Sequence, residues 1–201
     1  MPAPPVFAIT ELLTQVRGCT LCAGKLPLAP RPILQLDPRA TLLIAGQAPG
    51  RKAHDSGIPF SDPSGDRLRA WLGLDKTVFY DPTRVAILPM GMCFPGTGAG
   101  GDLPPRPECA PAWRALLLAA LPELQLTLVI GSYALAWHFK TSSATSVTAL
   151  VADWRSHWPN ALPMPHPSPR NQRWLRNNPQ FEREVLPALR DRVATLMARP
   201  A

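Results

Sequence analysis

The stretch Thr41-Leu42-Leu43-Ile44-Ala45-Gly46-Gln47-Ala48-Pro49-Gly50 decides the reading of this chain. Its first half is a short, continuous apolar run that stops at Gly46. A run this brief and unbroken reads as a strand buried on both faces. Its second half is a tight turn with backbone N–H groups exposed and one amide side chain, Gln47.

Similar runs recur downstream. Val85-Ala86-Ile87-Leu88 repeats the pattern, Leu126-Thr127-Leu128-Val129-Ile130 ends at Gly131, and Ala161-Leu162-Pro163-Met164 runs into His166. Helical periodicity lies between them, at about 64–73, 107–121, 132–139 and 146–153. An N-terminal helix is expected over 7–17, ending at Gly18, and a last one over 179–197 with Phe181, Val185, Leu189, Val193 and Leu196 on one face. The Pro-rich stretch 23–40 is expected to be irregular. Strands alternating with helices imply an α/β fold, a parallel sheet with helices on both sides. Such sheets bind ligands at the carboxyl ends of their strands, so the residues that follow each strand are the candidates for function. No internal repeat or second domain is visible, and residues 1–201 read as one domain.

Composition narrows the class. The 201 residues suit a sizeable core, and 46% are hydrophobic. Charged residues make up only 17%, yet the net charge is +7 and the pI about 9.8, which favours polyanionic partners. The 26 prolines predict stiff loops. Met1-Pro2-Ala3-Pro4-Pro5 lacks the basic start and apolar core of a secretory leader, and no apolar run reaches the roughly 18 residues of a membrane span. A cytoplasmic, monomeric protein with no membrane association is expected.

The four cysteines are spaced as two, one and one. Cys19 and Cys22 form a C-x2-C pair, and Cys93 and Cys109 follow with fifteen residues between them. Four thiolates suit one four-coordinate metal site, and a reducing compartment disfavours disulfides. An iron–sulfur cluster ranks first, zinc second and unconnected thiols last.

After the last strand, His166-Pro167-Ser168-Pro169-Arg170-Asn171 forms a rigid segment. Its prolines restrict the backbone, Ser168 and nearby N–H groups suit a phosphate, and His166 suits donation to an oxygen that gains charge. Arg170, Arg173 and Arg176 follow with Trp174 among them, a basic and aromatic mixture suited to nucleic acid. Gly57-Ile58-Pro59-Phe60 offers an aromatic face.

Taken together, these segments resemble the uracil-DNA glycosylase superfamily, and among its branches the iron–sulfur enzymes called family 4. That branch carries a C-x2-C pair, a Gly-Glu-x-Pro-Gly turn after the first strand, a Gly-x-Pro-Phe segment, two cysteines separated by fifteen residues and a late His-Pro-Ser. Here Cys19/Cys22, Gly46–Gly50, Gly57–Phe60, Cys93/Cys109 and His166–Ser168 occur in that order. The resemblance implies a three-layer αβα sandwich around a four-stranded parallel sheet. It also implies a [4Fe-4S] cluster on the four cysteines, with zinc the alternative, and DNA containing a damaged base as the partner. Such enzymes flip a nucleotide out of DNA and cut its glycosidic bond. By that likeness Phe60 stacks on the flipped base and His166 stabilises the oxyanion of the departing base. Pro167, Ser168 and Pro169, with Asn171 and Arg173, meet the DNA backbone, and Arg170 fills the vacated stack or grips a phosphate.

Two departures fall in the pocket. Gln47 replaces the family 4 Glu, and Ala48 stands where another branch has a water-positioning Asp, so neither carboxylate is present in the turn. An amide takes up no proton near neutral pH, but Gln47 stays a candidate catalytic and base-binding residue, with Ala48 and Pro89 beside Phe60 as base-binding candidates. Asp55 is a candidate replacement carboxylate, and His54 beside it a candidate to hold water. Pro89 occupies the position of an Asn that reads the uracil edge, which relaxes uracil selection and admits a deaminated purine such as hypoxanthine or xanthine, in a pocket shaped by Met90 and Met92. Three readings follow: a DNA glycosylase, a DNA-binding member of the superfamily that has lost excision, and an enzyme of free nucleosides or nucleotides. The net charge and the arginines after His166 count against the third.

Overall fold

In the computed structural model, which describes residues 6–141 and 145–198, the apolar runs become strands. The order is α1 (Val6–Arg17), β1 (Leu42–Ala45), α2 (Arg51–Ser56), α3 (Pro63–Leu72), α4 (Lys76–Phe79), β2 (Val85–Ile87), β3 (Thr97–Gly98), β4 (Gly101–Asp102), α5 (Cys109–Ala119), β5 (Leu126–Ile130), α6 (Ser132–Phe139), α7 (Val147–Ala152), β6 (Ala161–Met164), α8 (Gln172–Asn177) and α9 (Leu186–Met197). A short 3₁₀ turn, Trp154–Ser156, precedes β6; a second, Pro169–Asn171, precedes α8.

The principal sheet is α/β in character, four-stranded and parallel throughout, in the order β2-β1-β5-β6. Side chains alternate across each strand, and both faces are covered. Leu42, Ile44, Leu126, Leu128, Leu162 and Met164 pack with side chains of α3 and α9 on one face. Leu43, Ala45, Ala86 and Leu88 pack with α1 and α5 on the other. Two-sided burial is why β1 has no polar alternation, and each fully buried Leu or Ile contributes about 1.5–3 kcal/mol. Pro163 interrupts β6 without loss to the ladder because β6 is an edge strand.

The other edge, β2, is shielded by the Pro-rich arm. Gln35 exchanges two backbone hydrogen bonds with Ile87, at 3.0 and 2.7 Å, an antiparallel bridge that satisfies the exposed edge. Asp62 caps α3 by accepting from the Gly65 N–H at 2.9 Å, and Gly73 closes it in the left-handed conformation.

The last helical stretch differs from expectation. It opens with a π-turn, Phe181–Val185, and becomes α-helical at Leu186. Pro187 explains this: it lacks an N–H for the carbonyl four residues earlier, and its ring crowds that carbonyl, so the preceding turn widens. α2, α4, α8 and the β3–β4 hairpin are too short to leave a periodic trace in the sequence. Among the described residues, no helix is long and apolar enough to cross a membrane.

Strand order positions the site. After β1 the chain first lays β2 on one side, then crosses to lay β5 on the other. The crevice at the carboxyl ends of β1 and β5 is therefore the topological switch point, where open parallel sheets take their ligands.

Candidate active site

The turn after β1 enters that crevice held by its own backbone. The Gly46 and Gln47 carbonyls accept from the N–H groups of Met90 and Gly91, each at 2.9 Å. Leu88 and Met90 face β1, so the nitrogen of Pro89 points away from it, and a residue without an N–H costs no ladder bond there. Pro89 is buried, and its carbonyl accepts from Arg114. The Gln47 side chain crosses towards β5, lying against Gly131: a Cβ on Gly131 would come within 2.8 Å of the Gln47 Nε2. Gly131 has φ 83°, so position and conformation both require glycine. Ala48 is half-buried in the same turn.

Phe60 reaches this turn from the loop before α3. Its ring edge lies 3.5 Å from where a Gly46 Cβ would be, and it meets Phe79 edge-on at 6.4 Å between centroids. Phe60 has φ 54°, a left-handed conformation that strains a bulky residue by about 1–3 kcal/mol. Its carbonyl is fixed from two sides, accepting from the Tyr80 hydroxyl at 3.2 Å and the Arg69 guanidinium at 3.4 Å. The half-buried ring is thereby held rather than left to pack freely.

His166 leaves the end of β6 and is partly buried. Its Nδ1 accepts from the Ser168 N–H at 3.2 Å, and its carbonyl accepts from the Asn171 side chain at 2.7 Å. Burial pushes the imidazole below the usual histidine range, with the charges of Asp62 and Asp102 acting weakly against it. The ring is therefore neutral at neutral pH, and the Ser168 contact assigns its proton to Nε2, which remains a donor.

The segment after His166 is tied to α3, since Arg67 donates to the Ser168 carbonyl at 3.1 Å and to the Gln172 side chain. Pro167 is buried and holds the segment from beneath. Pro169, Arg170 and Arg173 are exposed, and Ser168 and Asn171 half-buried. The Ser168 Oγ accepts from the Arg170 N–H at 3.2 Å, and the Arg170 guanidinium donates to the Gly100 carbonyl at 3.1 Å. Trp174 departs from the sequence reading: its indole N–H binds Thr148 at 2.8 Å and its ring packs edge-on against Phe181, so the aromatic serves the core.

The acidic candidates separate. Asp55 lies on α2, exposed, with both oxygens accepting from Arg51 at 2.8 and 3.0 Å. His54 is partly buried, and its Nδ1 lacks a hydrogen-bond partner among the described residues. Two carboxylates not singled out in the sequence, Asp62 and Asp102, are the ones whose charges reach His166. No local sequence signal marks Asp102, because it is brought in by a two-residue strand.

The four cysteines line one pocket, with Met92, Arg106 and Trp113 among its walls. None is disulfide-bonded. The Cys19 sulfur accepts from the Trp113 indole N–H at 3.2 Å and the Cys109 sulfur from the Met92 N–H at 3.4 Å, the donors a coordinating thiolate uses. As free thiols, Cys22, Cys93 and Cys109 are pushed upward by burial, Cys93 to about 11, so binding a metal would release protons. Among the described residues no three His, Cys, Asp or Glu side chains form a group that could hold a single ion. The four thiols nevertheless line one pocket, a donor set of the kind that zinc or an iron–sulfur cluster takes.

Between this cavity and the crevice lies Arg114, 2% exposed. It donates to the carbonyls of Leu88 and Pro89 at 3.1 and 3.3 Å and to Nε2 of His138, with its guanidinium 4.9 Å from the Trp137 ring centroid. Burial lowers Arg114 to about 10 and His138 to about 3, the cation adding to the effect on His138.

A family model described as the uracil DNA glycosylase superfamily matches residues 34–190, and the chain belongs to that superfamily. The N-terminal Cys19/Cys22 pair precedes the matched segment. The chain is also similar to the solution NMR structure of a candidate uracil DNA glycosylase from Methanosarcina acetivorans, with 16% identity, a TM-score of 0.47, and coverage of 80% of this chain and 97% of that one.

Proposed function

We propose that this protein is a monofunctional DNA glycosylase of base-excision repair, hydrolysing the N-glycosidic bond of a flipped deaminated base. The observation that carries the reading is His166: a neutral imidazole whose Nδ1 is occupied, leaving an Nε2–H donor at the carboxyl end of the sheet. Cleavage of a glycosidic bond leaves negative charge on the departing base, and a fixed donor aimed at that charge lowers the barrier. Phe60 supplies the stacking face, and Gln47 an amide for the base edge. Ser168, Pro169, Arg170, Asn171 and Arg173 form the surface for the DNA backbone, with buried Pro167 supporting it. Superfamily membership and the net charge of +7 agree with a DNA substrate.

Within the superfamily, the iron–sulfur branch fits the cysteines best. Cys19, Cys22, Cys93 and Cys109 would hold a [4Fe-4S] cluster, with zinc the alternative; that all four line one pocket supports a shared thiolate-bound group. When bound, the cluster supplies a rigid covalent tie between the N-terminal arm and the loop after β2.

The test is base excision under single-turnover conditions. Anaerobically purified protein is mixed with single-stranded and paired oligonucleotides carrying uracil, hypoxanthine or xanthine, and abasic sites are scored. Excision of one of them, lost in His166→Ala, establishes the activity and names its base. A second reading, a DNA-binding member without excision, is favoured by one observation: Gln47, Ala48 and Pro89 place no carboxylate or side-chain amide where relatives use them. Salt-sensitive DNA binding without cleavage of any base would select it.

A further inference from the structure

The β3–β4 hairpin spans the two halves of the site. At one end, the Oδ2 of Asp102 lies 3.1 Å from where a Gly50 Cβ would stand, against the turn that follows β1. At the other, Gly100 accepts from the Arg170 guanidinium, on the segment that follows β6. The hairpin thus runs between the turn that follows β1 and the segment that follows β6, the two elements that the glycosylase reading assigns to the base and to the DNA backbone. Asp102 is its one acidic residue. It is exposed, and it makes a single weak hydrogen bond, accepting from Thr97 Oγ1 at 3.4 Å on Oδ1. Its Oδ2 has no hydrogen-bond partner among the described residues. Asp55 is bound to Arg51. Asp62 reaches His166 electrostatically as well, but its Oδ1 is committed to capping α3, and it lines a groove beside Lys52 and Tyr80.

We infer that Asp102 is the carboxylate that holds and deprotonates the attacking water, replacing the acid missing from the Gly46–Gly50 turn. The inference rests on the glycosylase reading. The C1′–N bond breaks with its electron pair leaving on the base, whose anionic oxygen accepts from the His166 Nε2–H. The water oxygen bonds to C1′, and the water proton passes to the Asp102 carboxylate. Before attack, the same negative charge faces the positive charge that develops on the sugar. Gln47, lacking a basic group, then serves to orient the base rather than the water. The missing side chain at Gly50 leaves room for the carboxylate: a Cβ there would be crowded by Oδ2.

The experiment uses the excised base identified above and compares wild type with Asp102→Asn, Asp102→Ala and Asp102→Glu. The expected single-turnover rate falls about 100-fold or more in Asp102→Asn, within the range of a positioned general base, with affinity for the uncleaved DNA and melting temperature unchanged. Asp102→Glu recovers part of the rate. Sodium formate, but not sodium chloride at equal ionic strength, restores turnover to Asp102→Ala by supplying a carboxylate in its place, which a merely structural residue would not allow. A folded Asp102→Asn protein excising at near-wild-type rate overturns the inference and leaves the glycosylase reading standing. Loss of rate accompanied by weakened DNA binding and no formate rescue assigns Asp102 to hairpin structure and also overturns it. Absence of excision by the wild-type protein removes both.

Discussion

Gly65 lies against the carbonyl of Phe60: a Cβ on Gly65 would stand 1.8 Å from that oxygen and 2.7 Å from its carbon. The first turn of α3 therefore closes on the strained residue that presents the aromatic face. Gly65→Ala is expected to destabilise the protein by about 1–3 kcal/mol through overpacking against backbone that cannot yield. It should also weaken binding of a flipped base more than binding of undamaged duplex. Denaturant melts and a comparison of the two affinities check this; an unchanged melt would mean that Phe60 adopts its conformation without the close approach.

The role of His166 predicts a selective loss. His166→Ala should lower the single-turnover excision rate by about 10²–10³-fold, the range for removing one donor to a developing oxyanion, while leaving DNA affinity within twofold. Near-wild-type turnover in a folded variant would defeat the assignment.

Pro89 is predicted to govern base choice. Its nitrogen faces away from β1 and its carbonyl is held by Arg114, so Pro89→Asn keeps the backbone pairing and adds an amide to the pocket. The ratio of uracil to hypoxanthine excision should rise by about 10-fold or more. Measuring both rates on the same duplex context decides it.

Stability should depend on pH through His138. Its proton affinity is lowered from 6.5 to about 3 by burial beside Arg114, so below pH 6.5 the unfolded chain binds a proton that the folded protein refuses. Stability is then full above pH 6.5 and is lost as pH falls towards 3, by about 2 kcal/mol at pH 5 from this group. His166, lowered in the same direction, adds to the trend. Denaturant unfolding at pH 7 and pH 5, in wild type and His138→Gln, gives the comparison; an equal pH dependence in both would remove His138 as its source.

Anaerobically purified protein should be brown, with broad absorbance near ~400 nm that Cys109→Ser diminishes. Removal of the bound group should lower the melting temperature, because a group held by the four cysteines would join the end of α1 and the arm to the loop after β2 and the start of α5. A colourless protein with stoichiometric zinc would assign the alternative metal.

Much of the sheet was legible because burial on both faces leaves a local trace. Leu42–Ala45 and Leu126–Ile130 are unbroken apolar runs because each alternate residue meets a different layer of helices. The turn chemistry that follows them, Gly46 and Gly131, was legible for the same reason: glycine is required where chain passes close to chain. The π-turn at Phe181–Val185 was foreshadowed only by Pro187, whose effect depends on whether a helix continues around it. The hairpin at 97–102 left no trace, since two-residue strands have no period.

Residue order alone determined the strands, the spacing of the cysteines and the rigid His166-Pro167-Ser168 segment, since hydrophobic period, ligand count and proline geometry are local properties of a chain. Which side chains meet was decided only by the tertiary structure. Asp55 and Asp102 are both acidic residues in short, polar stretches, equivalent by composition. Packing turns one towards Arg51 and sets the other against Gly50, within electrostatic reach of His166. Trp174, among arginines in sequence, is drawn inward because Phe181 and the Thr148 hydroxyl offer it both an apolar face and a partner for its N–H. These outcomes depend on contacts between residues far apart in the chain, and no local pattern encodes them.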